Sequence, residues 1–281
     1  MGSMFFGQYL LSKGAINREA LIDAIERQRS TNLSLVELAV RDGCLEPQRA
    51  EGILTRYRTT DAGLKELCLE YGQIDREKLD ELRRIQKSVW VRIGAALVAS
   101  GHLTRDQIDE HLAAFYEVQH EASQRLEADF RACSDPETVK TFVELSVFYL
   151  KRFTNGPVKL QTLTEDGGAL SSGRRRYAQK LVGDRELFCA LDLPSQVATV
   201  VAQGFIGVPV EDDSEVAIDA VCECVNIIGG HACTRLEASG FRLRPEPPFS
   251  TEGDEPAGDL RSSTCARVMA GDDEVDVRVF V

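Results

Sequence analysis

The sequence is short of positive charge: 33 Lys and Arg stand against 45 Asp and Glu, leaving a formal net charge of −12 over 281 residues. Binding to a nucleic-acid backbone draws on a clustered basic face, so this balance speaks against a nucleic-acid polymer as partner. Long apolar runs are missing as well. No stretch approaches the roughly 18 consecutive apolar residues that a membrane-crossing helix requires, and no span is expected. Paired cysteine spacing is absent too. Eight cysteines lie at 44, 68, 133, 189, 222, 224, 233 and 265, and none forms a C-x-x-C pair. The densest group is Cys222, Cys224, His231 and Cys233, but helical residues two apart point away from each other. The cysteines therefore read as reduced, buried, small apolar residues, and no metal site is expected. Met1-Gly2-Ser3 reads as an added lead before a native Met4, with no signal peptide after it, so a cytoplasmic location is expected. The rest is ordinary: 43% hydrophobic and 28% charged residues exclude collagen-like, disulfide-dense and wholly disordered chains. The length allows two domains.

The first half is periodic. Glycines at 14, 43, 72 and 101 recur every 29 residues, and the apolar positions around them recur with them. Eight residues before each glycine stands Phe6, Leu35, Leu64 or Ile93; three before it stands Leu11, Val40, Leu69 or Val98; two after it stands Ile16, Leu45, Ile74 or Leu103. Each unit reads as a short helix, a glycine turn and a longer helix, with the glycine taking the left-handed position that ends the first. Asn17, Asp75 and Thr104 suit the cap of the second helix, and Pro47 suits its first turn in unit two. The expectation is an all-α domain over residues 5–119, its four hairpins side by side with neighbours burying each other's apolar faces. The second helix of unit four reads on without Gly or Pro as a connector over 120–135, and Ser134-Asp135-Pro136 marks a new start.

This repeat resembles the amino-terminal MshEN domain of type II secretion and type IV pilus assembly ATPases, whose copies carry an R-L-G-x-x-L-L-x-x-G-L-I segment and a terminal Gln. Some members bind cyclic di-GMP through the Arg, the Leu-Gly backbone and that Gln. The resemblance implies Gly7, Gln28, Arg92 and Gly94 as the matching positions here. Every copy also departs from the pattern: Phe5 replaces the Arg of unit one, Phe115 the Gln of unit four, and Val36 and Lys65 the close-approach glycines of units two and three. A protein-interaction or dimer-spacing module is the other reading.

From residue 136 the period changes. PETVKTFVELSVFYLKRFT is an amphipathic helix, VKLQTLT alternates like a half-buried strand, and Glu165 to Arg176 reads as a polar loop in which Arg174-Arg175-Arg176 is a solvated basic run. AQKLVGDRELFCALDLP fits two strands about Gly183-Asp184. A helix then runs from Ser195 to Gly204, and a long one starts at Ser214. Pro245, Pro247 and Pro248 mark a loop, and Glu252 to Asp259 reads as an acidic surface loop. STCARVMAGDDEVDVRVFV reads as a hairpin about Gly271-Asp272. The domain over 136–281 is therefore expected to be α/β with a largely antiparallel sheet.

On the long helix, Ile218, Val221, Cys222, Val225, Ile228 and Ala232 form an apolar stripe. Asp219, Glu223, Asn226 and Gly230 are spaced four, three and four along the other side. They share one helical face: an acid, an amide and a flat glycine in line. The segment E-C-V-N-I-I-G-G-H-A, residues 223–232, resembles the E-x-x-N-I-I-x-G-x-A signature helix of the CheC and CheX chemotaxis phosphatases, CheX above all, since only one such helix is present. The resemblance implies hydrolysis of the aspartyl phosphate of a CheY-like response-regulator receiver domain, in chemotaxis or motility signalling. Asn226 would orient the attacking water and Glu223 would pair with a receiver lysine, the two catalytic positions. Asp219 and Gly230 would serve docking. The chain would need no cofactor of its own, the Mg²⁺ belonging to the receiver. The resemblance further implies a homodimer, expected through the terminal strands. His231 reads as a helix-surface residue. A non-catalytic adaptor that binds receiver or motility proteins, regulated by cyclic di-GMP through the first half, is the alternative.

Overall fold

In a computed structural model of the chain, described over residues 4–60, 62–166, 168–253 and 263–280, the repeat and the mixed region fold separately. Contacts divide the chain between Val118 and Gln119 into two compact units. That division falls at the expected end of the repeat, and Ser134–Pro136 lies between two helices within the second unit's span. Most of the acidic stretch 252–259 lies outside the described residues.

The amino-terminal unit contains α1 (Phe6–Ser12), α2 (Arg18–Thr31), α3 (Leu35–Arg41), α4 (Pro47–Thr59), α5 (Leu64–Glu70), α6 (Arg76–Val89), α7 (Ile93–Ala99) and the start of α8 (Arg105–Ala132). The caps are the expected ones. Asn17 Oδ1 accepts from Ala20 N at 2.9 Å and Asp75 Oδ1 from Lys78 N at 2.7 Å, while Thr104 and Gln107 cap reciprocally. Gly14, Gly43 and Gly101 hold φ of 67°, 74° and 74°, so a residue with a Cβ is strained there. Unit three differs. A Cβ on Gly72 would lie 2.5 Å from the Cys68 carbonyl oxygen, and the left-handed residue is Gln73 at φ 53°. There the glycine serves close approach to the preceding turn.

The hairpins are not stacked in sequence order. One core joins Tyr9, Leu10 and Ala24 of unit one to Ala96, Leu97 and Ile108 of unit four; another joins Leu38 and Ile53 of unit two to Leu67, Leu79 and Leu82 of unit three. Units one and four thus pair around the inner pair of two and three. The reason lies in the joints. Gln28 Nε2 donates to Val91 O at 2.9 Å, and two repeats on, Gln86 Nε2 donates to Leu33 O at 2.9 Å. Asn32 adds a two-way bond to the Val91 backbone, at 2.8 and 2.7 Å. Each glutamine ends a long helix and ties it to the segment entering its partner's short helix.

The second unit packs α9 (Pro136–Thr154), α10 (Ser195–Ile206) and α11 (Glu215–Ala238) on one face of a sheet of seven described strands. These are β1 (Val158–Asp166), β2 (Arg174–Gly183), β3 (Leu187–Pro194), β4 (Leu243–Pro245), β5 (Phe249–Thr251), β6 (Ser263–Ala270) and β7 (Asp273–Phe280). The order is β1-β6-β7-β3-β2-β4, with β5 also on β2, and all pairs are antiparallel. Alternation sends Tyr177, Leu181, Leu191, Leu193, Val277 and Val279 toward the helices and Ala178, Ala190 and Phe280 to the far face. The helix expected to stop at Gly204 runs to Ile206 and ends on Gly207 at φ 89°. Gly204 lies within it because a Cβ there would fall 1.7 Å from the Phe153 carbonyl oxygen of α9. The proline segment, read as loop, carries the short strands β4 and β5. Helix α11 is apolar and long enough to cross a membrane by composition, yet half of it is buried here as the core helix of the sheet. The terminal strands β6 and β7 are each paired on both sides, so the expected dimer contact has no free edge there.

The basic run is not a solvated loop. Arg174, Arg175 and Arg176 begin β2, and Arg176 is fully buried. Register places Arg176 beside Asp192, Asp192 beside Asp276, and Asp276 beside Arg267, a charge row across β2, β3, β7 and β6. Arg176 Nε and Nη2 donate to the two Asp192 oxygens at 2.7 Å each, and Nη2 also to Gly168 O at 2.8 Å. Arg278, two residues along β7, donates from Nε to Asp192 Oδ2 at 2.7 Å, and Arg174 Nη1 lies 2.9 Å from Asp276 Oδ2. The diagonal arginines offset the repulsion between the two adjacent aspartates. Asp192→Ala strands two buried guanidinium groups, a loss that runs at about 3–5 kcal/mol when one partner of a buried pair is removed. Urea unfolding of Asp192→Ala is expected to show a drop of that size, whereas Asp273→Ala, outside the row, is expected to unfold within about 0.5 kcal/mol of the parent.

Candidate functional site

The polar ridge of α11 is held by its N-cap, Ser214, whose hydroxyl accepts from Ala217 N at 3.2 Å, and by the apolar residues Ala217, Val221, Cys224, Val225 and Ile228 on the buried side. Asp219 and Glu223 are exposed, while Asn226 and Gly230 are half-buried. The four predicted positions do share one side of the helix. Asn226 stands nearer the sheet than the spacing implies, within hydrogen-bond reach of β2. At Gly230 no atom lies within 4 Å of an added Cβ, so the surface beyond Asn226 is flat and open.

The amide of Asn226 is fixed by a chain of hydrogen bonds. Its Nδ2 donates to Glu223 Oε2 at 3.3 Å, one turn back on α11. Its Oδ1 accepts from Gln179 Nε2 of β2 at 2.7 Å, and the same Nε2 donates to Glu246 O at 2.8 Å. Each end of this chain can only accept: a carbonyl at Glu246 and a carboxylate at Glu223. The orientation of both amides therefore follows from chemistry, with no choice of flip left open. Asn226 turns its oxygen to the sheet and its NH₂ to Glu223. One acceptor site on Oδ1 and one N–H on Nδ2 remain for a water or a phosphoryl oxygen.

Gln179 belongs to no motif in the sequence. It is completely buried, lying between Tyr177 and Leu181 on the helix-facing side of β2. A polar residue at a core position of an alternating strand is the signal that could have found it, since such groups are retained only where partnered. Its Oε1 accepts no hydrogen bond among the described residues and rests over Gly229, where a Cβ would come within 1.9 Å. The first glycine of the Gly229-Gly230 pair thus makes room for Gln179, and the second leaves the outer surface bare.

His231 is half-buried and stacks on Tyr149 of α9, with centroids 5.8 Å apart and planes at 23°, so it is not a purely surface residue. A concavity of about 520 Å³ lies elsewhere, lined by Leu170 to Arg175, Ser195, Asp213, Glu252 and Gly253, and includes neither Glu223 nor Asn226. The site is a ridge. Gly7 and Gly94 are buried against the long helices that follow them, a Cβ on Gly7 coming 2.6 Å from Leu21 Cδ1 and one on Gly94 3.0 Å from Ile108 Cγ2. Arg92 caps α7 with an exposed side chain. A cyclic dinucleotide seated through these positions would have to take Gln28 from Val91 O.

No group of three or more His, Cys, Asp or Glu is arranged to hold a metal among the described residues. Burial raises the thiols: Cys222 and Cys68 to about 11, Cys189 to about 12, and Cys224 well above its ordinary value. The carboxylates of Asp219 and Glu223 push Cys222 up further. Burial thus keeps these groups protonated through neutral pH, and none is a ready thiolate nucleophile. Ellman's reagent at pH 8 is accordingly expected to label the native chain slowly and at fewer than half of its eight cysteines, and all eight after guanidinium unfolding. Rapid labelling at Cys222 in a peptide map would contradict the raised thiol.

Residues 178–267 match the family model of the chemotaxis phosphatase CheX, a span that includes Gln179, Glu223, Asn226, Gly230 and Glu246. The CheX resemblance read from the signature helix is thereby borne out for the carboxy-terminal domain. Among solved structures the chain is similar to the chemotaxis protein CheX from Vibrio vulnificus, at 18% identity over 51% of this chain and 98% of that one, TM-score 0.45. A CheC-like superfamily protein from a Shewanella species matches at 15% identity over 51% and 96%, TM-score 0.45. A chain of a CheX–CheY–BeF₃–Mg²⁺ complex from Borrelia burgdorferi matches at 19% identity over 50% and 96%, TM-score 0.42. No curated protein sequence matches the chain.

Proposed function

We propose that the carboxy-terminal domain hydrolyses the aspartyl phosphate of a CheY-like receiver domain in chemotaxis or motility signalling. One observation carries the reading: Glu223 and Asn226, a turn apart on an open ridge inside the CheX-matching span, are joined by a hydrogen bond that presents an oriented amide beside an exposed carboxylate. The ridge enters the receiver's site. The receiver contributes the phosphoaspartate, a lysine and its own Mg²⁺, and this chain contributes no cofactor. Asn226 holds a water in line with phosphorus; the water oxygen bonds to phosphorus as the bond from phosphorus to the aspartyl oxygen breaks. Inorganic phosphate and a free aspartate carboxylate result, with the water proton passing to the phosphate. An amide suits this work because it accepts and donates without titrating, so the effect comes from placement. Glu223 pairs with the receiver lysine and sets the register of docking, with Asp219 adding negative charge one turn earlier. Gly230 leaves the partner surface unobstructed.

The test is the rate of phosphate loss from phosphorylated receivers of the same organism, with parent protein and variants. Asn226→Ala is expected to lower turnover about 100-fold while receiver binding persists. Glu223→Gln keeps the shape and removes the charge; it is expected to raise KM several-fold and to flatten its dependence on salt. A receiver that binds the parent and loses no phosphate would identify the chain as an adaptor and overturn the catalytic reading.

A further inference from the structure

Asn226 can position a water only if its amide is held one way round, and the group that holds it comes from the sheet. We propose that Gln179 is a positioning residue for the hydrolysis, setting through its buried side-chain NH₂ which atom of Asn226 is presented to the partner. The inference rests on the phosphatase reading above and deepens it.

The geometry leaves Gln179 little freedom. Both N–H groups of its Nε2 are committed, one to Glu246 O and one to Asn226 Oδ1. Glu246 is itself fixed. Its N–H donates to Lys180 O at 2.9 Å beside the β2–β4 pairing, and Pro247 confines it to extended backbone. Its carbonyl is thus aimed at Gln179 by the edge of the sheet. On the other side Gln179 Oε1 lies against Gly229 of α11, so the amide is packed between the helix and the sheet edge. Were the Gln179 amide reversed, its oxygen would face the Glu246 carbonyl and Asn226 would turn its NH₂ inward, leaving no donor toward Glu223. A lone Asn on an exposed helix face samples both amide orientations. Here the sheet selects one before any partner arrives, which is the pre-organisation that catalysis by placement needs.

A purely structural role for Gln179 predicts something different: lost stability, with any surviving folded protein unchanged in turnover. Two readouts separate the roles. In the first, kcat and KM are measured on a receiver phosphorylated with acetyl phosphate for the parent, Gln179→Met and Gln179→Glu. Methionine keeps the volume without the donor; the carboxylate of glutamate faces two acceptors and favours the reversed Asn226. The expectation is a fall in kcat of about tenfold for Gln179→Met and more for Gln179→Glu, at unchanged KM. In the second, ¹⁵N relaxation of the Asn226 side-chain NH₂ is compared in the free proteins, with the resonance assigned by its loss in Asn226→Ala. Its order is expected to fall in Gln179→Met. An unchanged kcat in folded Gln179→Met, a loss appearing only in KM, or an Asn226 amide as ordered as in the parent would each overturn the proposal. If the parent hydrolyses no receiver, the phosphatase reading and the catalytic role of Gln179 fall together. The relaxation measurement still reports separately whether Gln179 pins Asn226.

Discussion

The register of β2 is the constraint on which the site depends. That strand carries two unrelated jobs on its two faces, the buried guanidinium of Arg176 on one and the buried amide of Gln179 on the other. Because side chains alternate, a slip of one residue would exchange the faces, sending Gln179 away from α11 and Arg176 into the apolar helix layer. The row Arg176–Asp192–Asp276–Arg267 resists that slip across four strands at once. Hydrophobic alternation alone specifies the register less sharply, since valines and alanines tolerate a shifted neighbour. Buried charges do not: a displaced Asp192 loses two guanidinium partners in a medium that solvates neither charge. On this view the charged row contributes specificity more than net stability. What it specifies is the height along the strand at which Gln179 meets Asn226.

The legible parts of this chain were those written into one segment, and the hidden parts were those that need two. The glycine period, the N-caps at Asn17, Asp75 and Thr104, the helices at 136 and 214 and the hairpin at Gly271 all follow from residues within a turn or two of each other. Glu223, Asn226 and Gly230 were legible for the same reason, since one helix carries them. The nested pairing of the repeats was not. It depends on Gln28 meeting Val91 and Gln86 meeting Leu33, contacts across more than fifty residues that leave no local trace. Three consecutive arginines look like solvent-facing residues until Asp192 and Asp276 arrive from other strands. Gly204 looked like a helix end because the backbone of α9, which requires it, is absent from its own segment. Gln179 gave the one faint local sign, an amide standing where alternation asks for an apolar side chain.

The arrangement at Asn226 also explains how an exposed helix can carry chemistry that relies on geometry alone. A titrating base can be poised by shifting its pKa, and modest positional error is tolerated because the proton finds it. An amide has no such latitude: its oxygen and nitrogen do opposite things and are nearly equal in size, so a half-turn converts an acceptor into a donor. Discriminating the two states requires partners that can play only one part. The backbone carbonyl of Glu246 and the carboxylate of Glu223 are such partners, and they stand at opposite ends of the chain of bonds. With acceptors at both ends, each amide between them has a single orientation that satisfies its neighbours. The orientation of Asn226 is therefore built from the sheet edge outward, through β4 and β2 to α11, and the exposed ridge is the last element of a buried construction.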